Sequence, residues 1–110
     1  MWLLKAQEQI ETPLTFRILP GNIKTMGRSA GAEFIVDAAL VSRLHCRLTA
    51  GAGALEVADL DSTNGIFVNG ERVTQAMLKV GDRLGVGRVE FVVSRERGQS
   101  TGTVEAGPPD

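Results

Sequence analysis

Residues 59–70 read Asp-Leu-Asp-Ser-Thr-Asn-Gly-Ile-Phe-Val-Asn-Gly, with Asn-Gly steps at 64–65 and 69–70. Asn and Gly both accept positive φ at little steric cost, so each step predicts a sharp turn. Only Ile66-Phe67-Val68 stands between them, a β-prone triplet that has room for one brief strand and for nothing else. A chain that reverses twice in so short a span is built from short, mostly antiparallel strands. The first turn also carries Ser62, Thr63 and Asn64, three uncharged side chains that hydrogen-bond. Binding residues commonly occupy loops of this kind on a rigid β scaffold.

The remaining chain follows the same pattern. Trp2–Ala6 reads as a first strand. After Pro13, Leu14, Phe16 and Ile18 alternate with Thr15 and Arg17, the period of a half-buried strand. Pro20-Gly21-Asn22 predicts a turn from which Ile23–Gly27 returns antiparallel. Small residues make 28–33 a loop, and Phe34–Val36 a short apolar strand. Residues 37–44 form a second loop, with one helical turn over Ala38–Val41. Leu44, Cys46, Leu48 and Ala50 are expected on the inner face of the next strand, with His45, Arg47 and Thr49 opposite. Gly51-Ala52-Gly53 turns into its partner, Leu55–Asp59. Glu71–Val73 is a short strand, and 74–81 a connection that tucks Met77, Leu78 and Val80 onto the core. A last hairpin, 82–86 with 89–94, crosses Gly87-Arg88.

This is about ten or eleven strands with no helical period and no room for a crossover helix, hence an all-β sandwich. The 110 residues suffice for one domain, expected over 1–94. From Arg95 the chain has one large apolar residue, Val104, so 95–110 is expected to be a disordered tail or linker.

Several function classes are excluded. A net charge of −1 gives no pull toward nucleic acid or anionic lipid. One Trp, four Phe and no Tyr offer few platforms for stacked bases. No apolar run approaches the roughly 20 residues a membrane helix needs, and the N-terminus is charged too early for a signal peptide. Cys46 has no partner for an internal disulfide, so a soluble cytoplasmic chain is expected. On a strand, His45 and Cys46 point to opposite faces and cannot pair as base and nucleophile. One His and one Cys are too few for a structural zinc site. Ser42, His45 and Asp61 lack a nucleophile-elbow motif, and 27–31 lacks the Gly-Lys-Ser/Thr of a P-loop. The residues indicate no enzyme, metal or cofactor.

Three loops hold the polar residues of interest: Gly27-Arg28-Ser29, Ser42-Arg43-Leu44-His45, and Asp61-Ser62-Thr63-Asn64-Gly65. Gathered at one end of the sandwich, they would present two guanidinium groups, hydroxyls, an amide and backbone N–H groups, with no carboxylate required to face inward. Arginine offers phosphate a planar fork of donors, hydroxyls donate to the remaining oxygens, and turn backbones add N–H groups.

In order and spacing, Gly27-Arg28, Ser42-Arg43-x-His45, Asp61-Ser62-Thr63-Asn64-Gly65 and Asn69-Gly70 resemble the signature of the forkhead-associated (FHA) domain, across roughly residues 2–94. The resemblance implies an eleven-stranded sandwich that binds phosphothreonine peptides through its loops. It implies that Arg28, Ser42 and Arg43 hold phosphate, and that Thr63 lines the groove for the threonine methyl. Asn64 then fixes the peptide backbone after the phosphothreonine, and Asn69 reaches backbone further along. Gly27, His45 and Gly65 support the site without touching ligand. The family reads the third residue after the phosphothreonine partly through the position two before Ser42. Here that is Leu40, with Val41 beside it, so an apolar residue is expected there. The implied partner is a phosphothreonine protein made by a Ser/Thr kinase, with Thr101 or Thr103 of the tail a further ligand for self-association. The competing reading is a phosphate-independent interaction or oligomerisation domain on the same fold.

Overall fold

Each alternating run becomes a strand with its apolar residues turned inward. The computed structural model describes residues 1–7 and 14–96, and these hold eleven strands and no helix. They are β1 (Trp2–Ala6), β2 (Thr15–Ile18), β3 (Ile23–Gly27), β4 (Phe34–Ile35), β5 (Cys46–Ala50), β6 (Leu55–Asp59), β7 (Ile66–Val68), β8 (Glu71–Val73), β9 (Gln75–Leu78), β10 (Arg83–Val86) and β11 (Val89–Arg95). One sheet has the order β2-β1-β11-β10-β7-β8, the other β4-β3-β5-β6-β9. The pairings are antiparallel except for the short parallel pair of β3 with β4.

Leu4, Ile18, Met26, Leu48, Leu55, Val57, Leu78, Leu84 and Phe91 fill the space between the sheets. Burying such a side chain contributes about 1.5–3 kcal/mol, so packing holds strands too short to persist alone. Phe16 of β2 stacks on Phe34 of β4 at 4.6 Å and meets Phe91 of β11 at 5.8 Å, clamping the two sheets near one edge. The Trp2 indole N–H donates to the Gly51 carbonyl at 2.9 Å, tying β1 to the β5–β6 turn.

Local expectations fail where partners are distant in sequence. The turn at Pro20-Gly21-Asn22 forms, with Gly21 at φ 95°, but it is a corner between sheets and not a hairpin. β2 pairs with β1, while β3 crosses to the other sheet beside β5. The corner is captured by Ala50, whose carbonyl accepts from Gly21 N–H at 2.8 Å and whose N–H donates to Asn22 at 3.0 Å. Leu44 does not join the inner face of β5: that strand starts at Cys46, leaving Leu44 47% exposed and His45 fully buried. The stretch expected to be a connection contains β9, which buries Leu78 but leaves Met77 and Val80 each 59% exposed. Ala38–Val41 is a reverse turn and not a helical one, because Leu40 has φ 69°. β11 runs through Arg95, one residue past the expected boundary. The Arg95 guanidinium lies 4.3 Å from the centre of the Trp2 ring. Thr101, Thr103 and the rest of the expected tail from residue 97 onward lie outside the described residues.

Candidate functional site

The loops at 28–33, 36–45 and 60–65 meet at one end of the sandwich, and backbone chemistry sets how they meet. At the end of β3, Gly27 passes so close to the next loop that a Cβ there would sit 2.0 Å from the Arg43 carbonyl oxygen. This contact lets Arg28 N–H donate to Ser42 O at 2.9 Å and Ser29 N–H to Arg43 O at 3.3 Å. Arg28 then donates its Nε–H to Val41 O at 3.0 Å. One edge of the guanidinium is thus anchored, and the terminal N–H groups remain for a ligand.

Ser42 joins all three loops. Its carbonyl accepts from Arg28, its N–H donates to His45 Nδ1 at 3.0 Å, and its Oγ accepts from Thr63 N–H at 3.1 Å. With that acceptor role taken, the Ser42 O–H can donate into the cavity. His45 is fully buried, and its Nε2 lies 2.8 Å from Gly65 O. Because Nδ1 accepts from Ser42, the proton sits on Nε2 and is donated to Gly65. One ring therefore bridges the backbones at 42 and 65.

The 60–65 loop is closed by Asp59, whose Oδ1 accepts from Ser62 Oγ at 2.5 Å. Ser62 Oγ in turn accepts from Gly65 N–H at 2.9 Å. Gly65 has φ 78°, a conformation that side chains rarely adopt, and the Arg72 guanidinium lies over the face where a Cβ would stand. Asn64 Nδ2 donates to Leu40 O at 3.0 Å, pinning the 40–41 turn.

Two adjoining cavities result. The larger, about 620 Å³, is lined by Arg28, Ser29, Ser42, Arg43, Leu44, Asp61 and Thr63. The smaller, about 310 Å³, is lined by Arg28, Ser42, Thr63 and Asn64 together with Ala38, Ala39, Leu40 and Val41. Arg28, Ser42 and Thr63 line both, so the cationic fork and hydroxyls stand at the junction. This suits a tetrahedral anion, with room for chain on either side.

Among the expected contact residues, Arg28, Ser42, Arg43, Thr63 and Asn64 come together. Asn69 stands apart. Its Nδ2 donates to Asp82 Oδ1 at 3.2 Å, its Oδ1 accepts from Arg83 N–H at 3.0 Å, and it lines neither cavity. At φ 52° and 86°, Asn69 and Gly70 form the turn joining β7 to β8. Val41 lines the smaller cavity, but its side chain is 3% exposed and packs in the core. Leu40, at 49%, stays accessible.

Sequence reasoning missed two carboxylates. Asp61 lines the larger cavity, and Asp37 lines a smaller recess with Arg28, Ser29 and Arg43. Asp61 adopts φ 59°, and Asp tolerating the left-handed region was the available signal. The neighbouring Cys46 thiol is pushed up to about 12 by burial and, secondarily, by Asp59.

The family model described as FHA domain matches residues 24–87. The chain is 37% identical over 79 residues to the ABC transporter ATP-binding/permease protein Rv1747 of Mycobacterium tuberculosis, covering 72% of this chain and 9% of that protein. It spans about half the length, or less, of the other curated relatives it matches. The crystal structure of the FhaA FHA domain complexed with the intracellular domain of Rv3910 superposes with a TM-score of 0.76 at 29% identity, covering 86% of this chain and 100% of that one. A structure from a study of phosphothreonine-dependent FHA domain interactions gives 0.74 at 28% identity, covering 86% and 98%.

Proposed function

Because the chain belongs to the FHA domain family, we propose that it is a non-catalytic module that captures phosphothreonine segments of partner proteins. Convergence of Arg28, Ser42 and Thr63 at the junction of two cavities carries this reading. The phosphoryl group sits there, held by the Arg28 fork, the Ser42 hydroxyl and Thr63, with Arg43 adding charge from the larger cavity. Asn64, already bonded to Leu40, uses its remaining amide positions on the peptide backbone after the phosphothreonine. The smaller cavity, walled by Ala38, Ala39 and Leu40, takes an apolar side chain three residues downstream. Asn69 acts through its turn and not through ligand.

Two solved relatives support the partner class, one from a study of phosphothreonine-dependent FHA domain interactions and the other bound to another protein's intracellular domain. In this reading the domain serves phosphorylation-dependent signalling in the cytoplasm, where a Ser/Thr kinase makes its ligand. A catalytic role for His45 and Cys46 is opposed by geometry: both ring nitrogens are committed to backbone, and the thiol stays protonated near neutral pH.

The test is titration calorimetry with a phosphothreonine peptide, its phosphoserine analogue and its unphosphorylated twin. Binding is expected for the first, weaker binding for the second and none for the third. Equal affinity for phosphorylated and unphosphorylated peptides would overturn the reading. A Thr→Glu mimic should also fail, since one planar carboxylate replaces a tetrahedral group of charge about −1.5 to −2.

A further inference from the structure

The two arms leading from the phosphate junction differ in chemistry. One carries Leu40 and two alanines beside Asn64. The other carries Arg43, Leu44 and Asp61, and a recess next to it adds Asp37. Arg28 and Arg43 are therefore flanked by two carboxylates, and the four formal charges cancel before any ligand arrives. Among the described residues the ion pairs are Lys24–Glu33 and Arg83–Glu90, both away from these cavities.

A phosphoryl group brings a charge of about −1.5 to −2. At a site whose own charges already cancel, that charge stays uncompensated at the rim of the complex. Coulomb attraction at an effective dielectric near the surface then favours a cation in the arm that holds Asp61. The backbone supports the assignment. Asp61 lines the same cavity as Thr63 and holds φ 59°, a conformation that few residue types tolerate.

We propose that Asp61 reads a lysine or arginine of the partner on the N-terminal side of the phosphothreonine. The side follows from placing Asn64 and the apolar arm downstream, so this inference rests on the function proposed above. A neutral pocket around the arginines also disfavours acidic residues upstream, since each would add to an unbalanced negative charge.

The experiment uses phosphothreonine peptides carrying Lys, Ala or Glu across the three positions before the phosphothreonine, titrated into the wild-type chain and into Asp61→Asn. Asn is the substitution of choice because it accepts the left-handed conformation and removes only the charge. The Lys peptide is expected to bind about three- to tenfold more tightly than the Glu peptide, and the ratio should shrink as salt rises. Asp61→Asn should bring it close to one. A wild-type preference for Glu, or a Lys preference unchanged in Asp61→Asn, would overturn the proposal while leaving phosphothreonine capture standing. So would an Asp61→Asn chain that loses the Ala peptide as well, because Asp61 would then be structural. If no phosphopeptide binds the wild-type chain, the proposed function falls first and takes this inference with it.

Discussion

A leucine at φ 69° is an uncommon conformation for a bulky residue, and it occurs here at the position proposed above to face the downstream side chain of the ligand. The left-handed region costs a non-glycine residue roughly 1–2 kcal/mol, and such strain persists only where the surroundings hold it. Asn64 bonds the Leu40 carbonyl, and Gly87 of the β10–β11 turn packs against the same backbone. Leu40→Gly relieves the strain, while glycine's extra freedom in the unfolded chain costs about 0.5–1 kcal/mol. Stability by denaturant titration should therefore stay within about 1 kcal/mol of wild type. The preference for an apolar residue three positions after the phosphothreonine should disappear. A large destabilisation, or an undiminished preference, would show that Leu40 is scaffold. Arg28 is the opposite case, since its substitution reads out in binding. Losing a hydrogen bond to a charged group costs about 1.5–3 kcal/mol, so Arg28→Ala should weaken phosphopeptide binding by on the order of tenfold to a hundredfold. Arg28→Lys should restore only part of that, because an ammonium cannot both hold Val41 O and offer a fork. Calorimetry on both variants decides it.

At the scale of elements, glycine placement and turn chemistry separate stability from binding. In the β7–β8 turn, Asn69→Ala forfeits a residue suited to φ 52° and two side-chain hydrogen bonds to the start of β10. The expected loss is about 2 kcal/mol of stability, with phosphopeptide affinity within about twofold of wild type by the error of such titrations. A tenfold affinity loss in a well-folded variant would return Asn69 to the ligand. Gly27→Ala should damage both properties, because a Cβ 2.0 Å from backbone forces β3 away from the 42–45 segment. Thermal denaturation should report on the order of 3 kcal/mol or more lost. Strand positions and turns were legible in the sequence because they depend on neighbours one to three residues away. The two Asn-Gly steps mark chain reversals, and the alternation of Leu55 and Val57 marks a buried face. Pairing within hairpins was legible, as for β5 with β6 and β10 with β11, but pairing between segments distant in sequence was not. Pro20-Gly21-Asn22 turns the chain whether or not β3 pairs with β2, and Ala50, far along the sequence, decides the outcome. The same limit explains Asp61 and Asp37: nothing local says that they will share cavities with Arg28 and Arg43.

For the molecule as a whole, the two sheets close over Cys46, and its titration reports on that closure. The thiol is fully buried and faces the Asp59 carboxylate across the β5–β6 pair, and both effects disfavour the thiolate. Its folded value rises from 9.0 to about 12. The sign follows directly. Below pH 9 the thiol is protonated folded or unfolded and pH has no leverage through it. Above pH 9 the unfolded chain releases the proton first, the unfolded state binds fewer protons, and stability falls with rising pH. The window lies between about pH 9 and pH 12, with a limiting slope of about 1.4 kcal/mol per pH unit. The chain has no tyrosine, so no phenol contributes to the same limb. Denaturant unfolding at stepped alkaline pH should show the decline, and Cys46→Val should flatten it even where it changes baseline stability. The same burial makes alkylation by iodoacetamide at pH 8 slow until the sheets separate, so its rate should track global opening. Alkylation of the native chain at the rate of an exposed thiol would mean that the sandwich opens at β5 without unfolding. The recognition loops on either side of that strand would then not be held by a rigid frame.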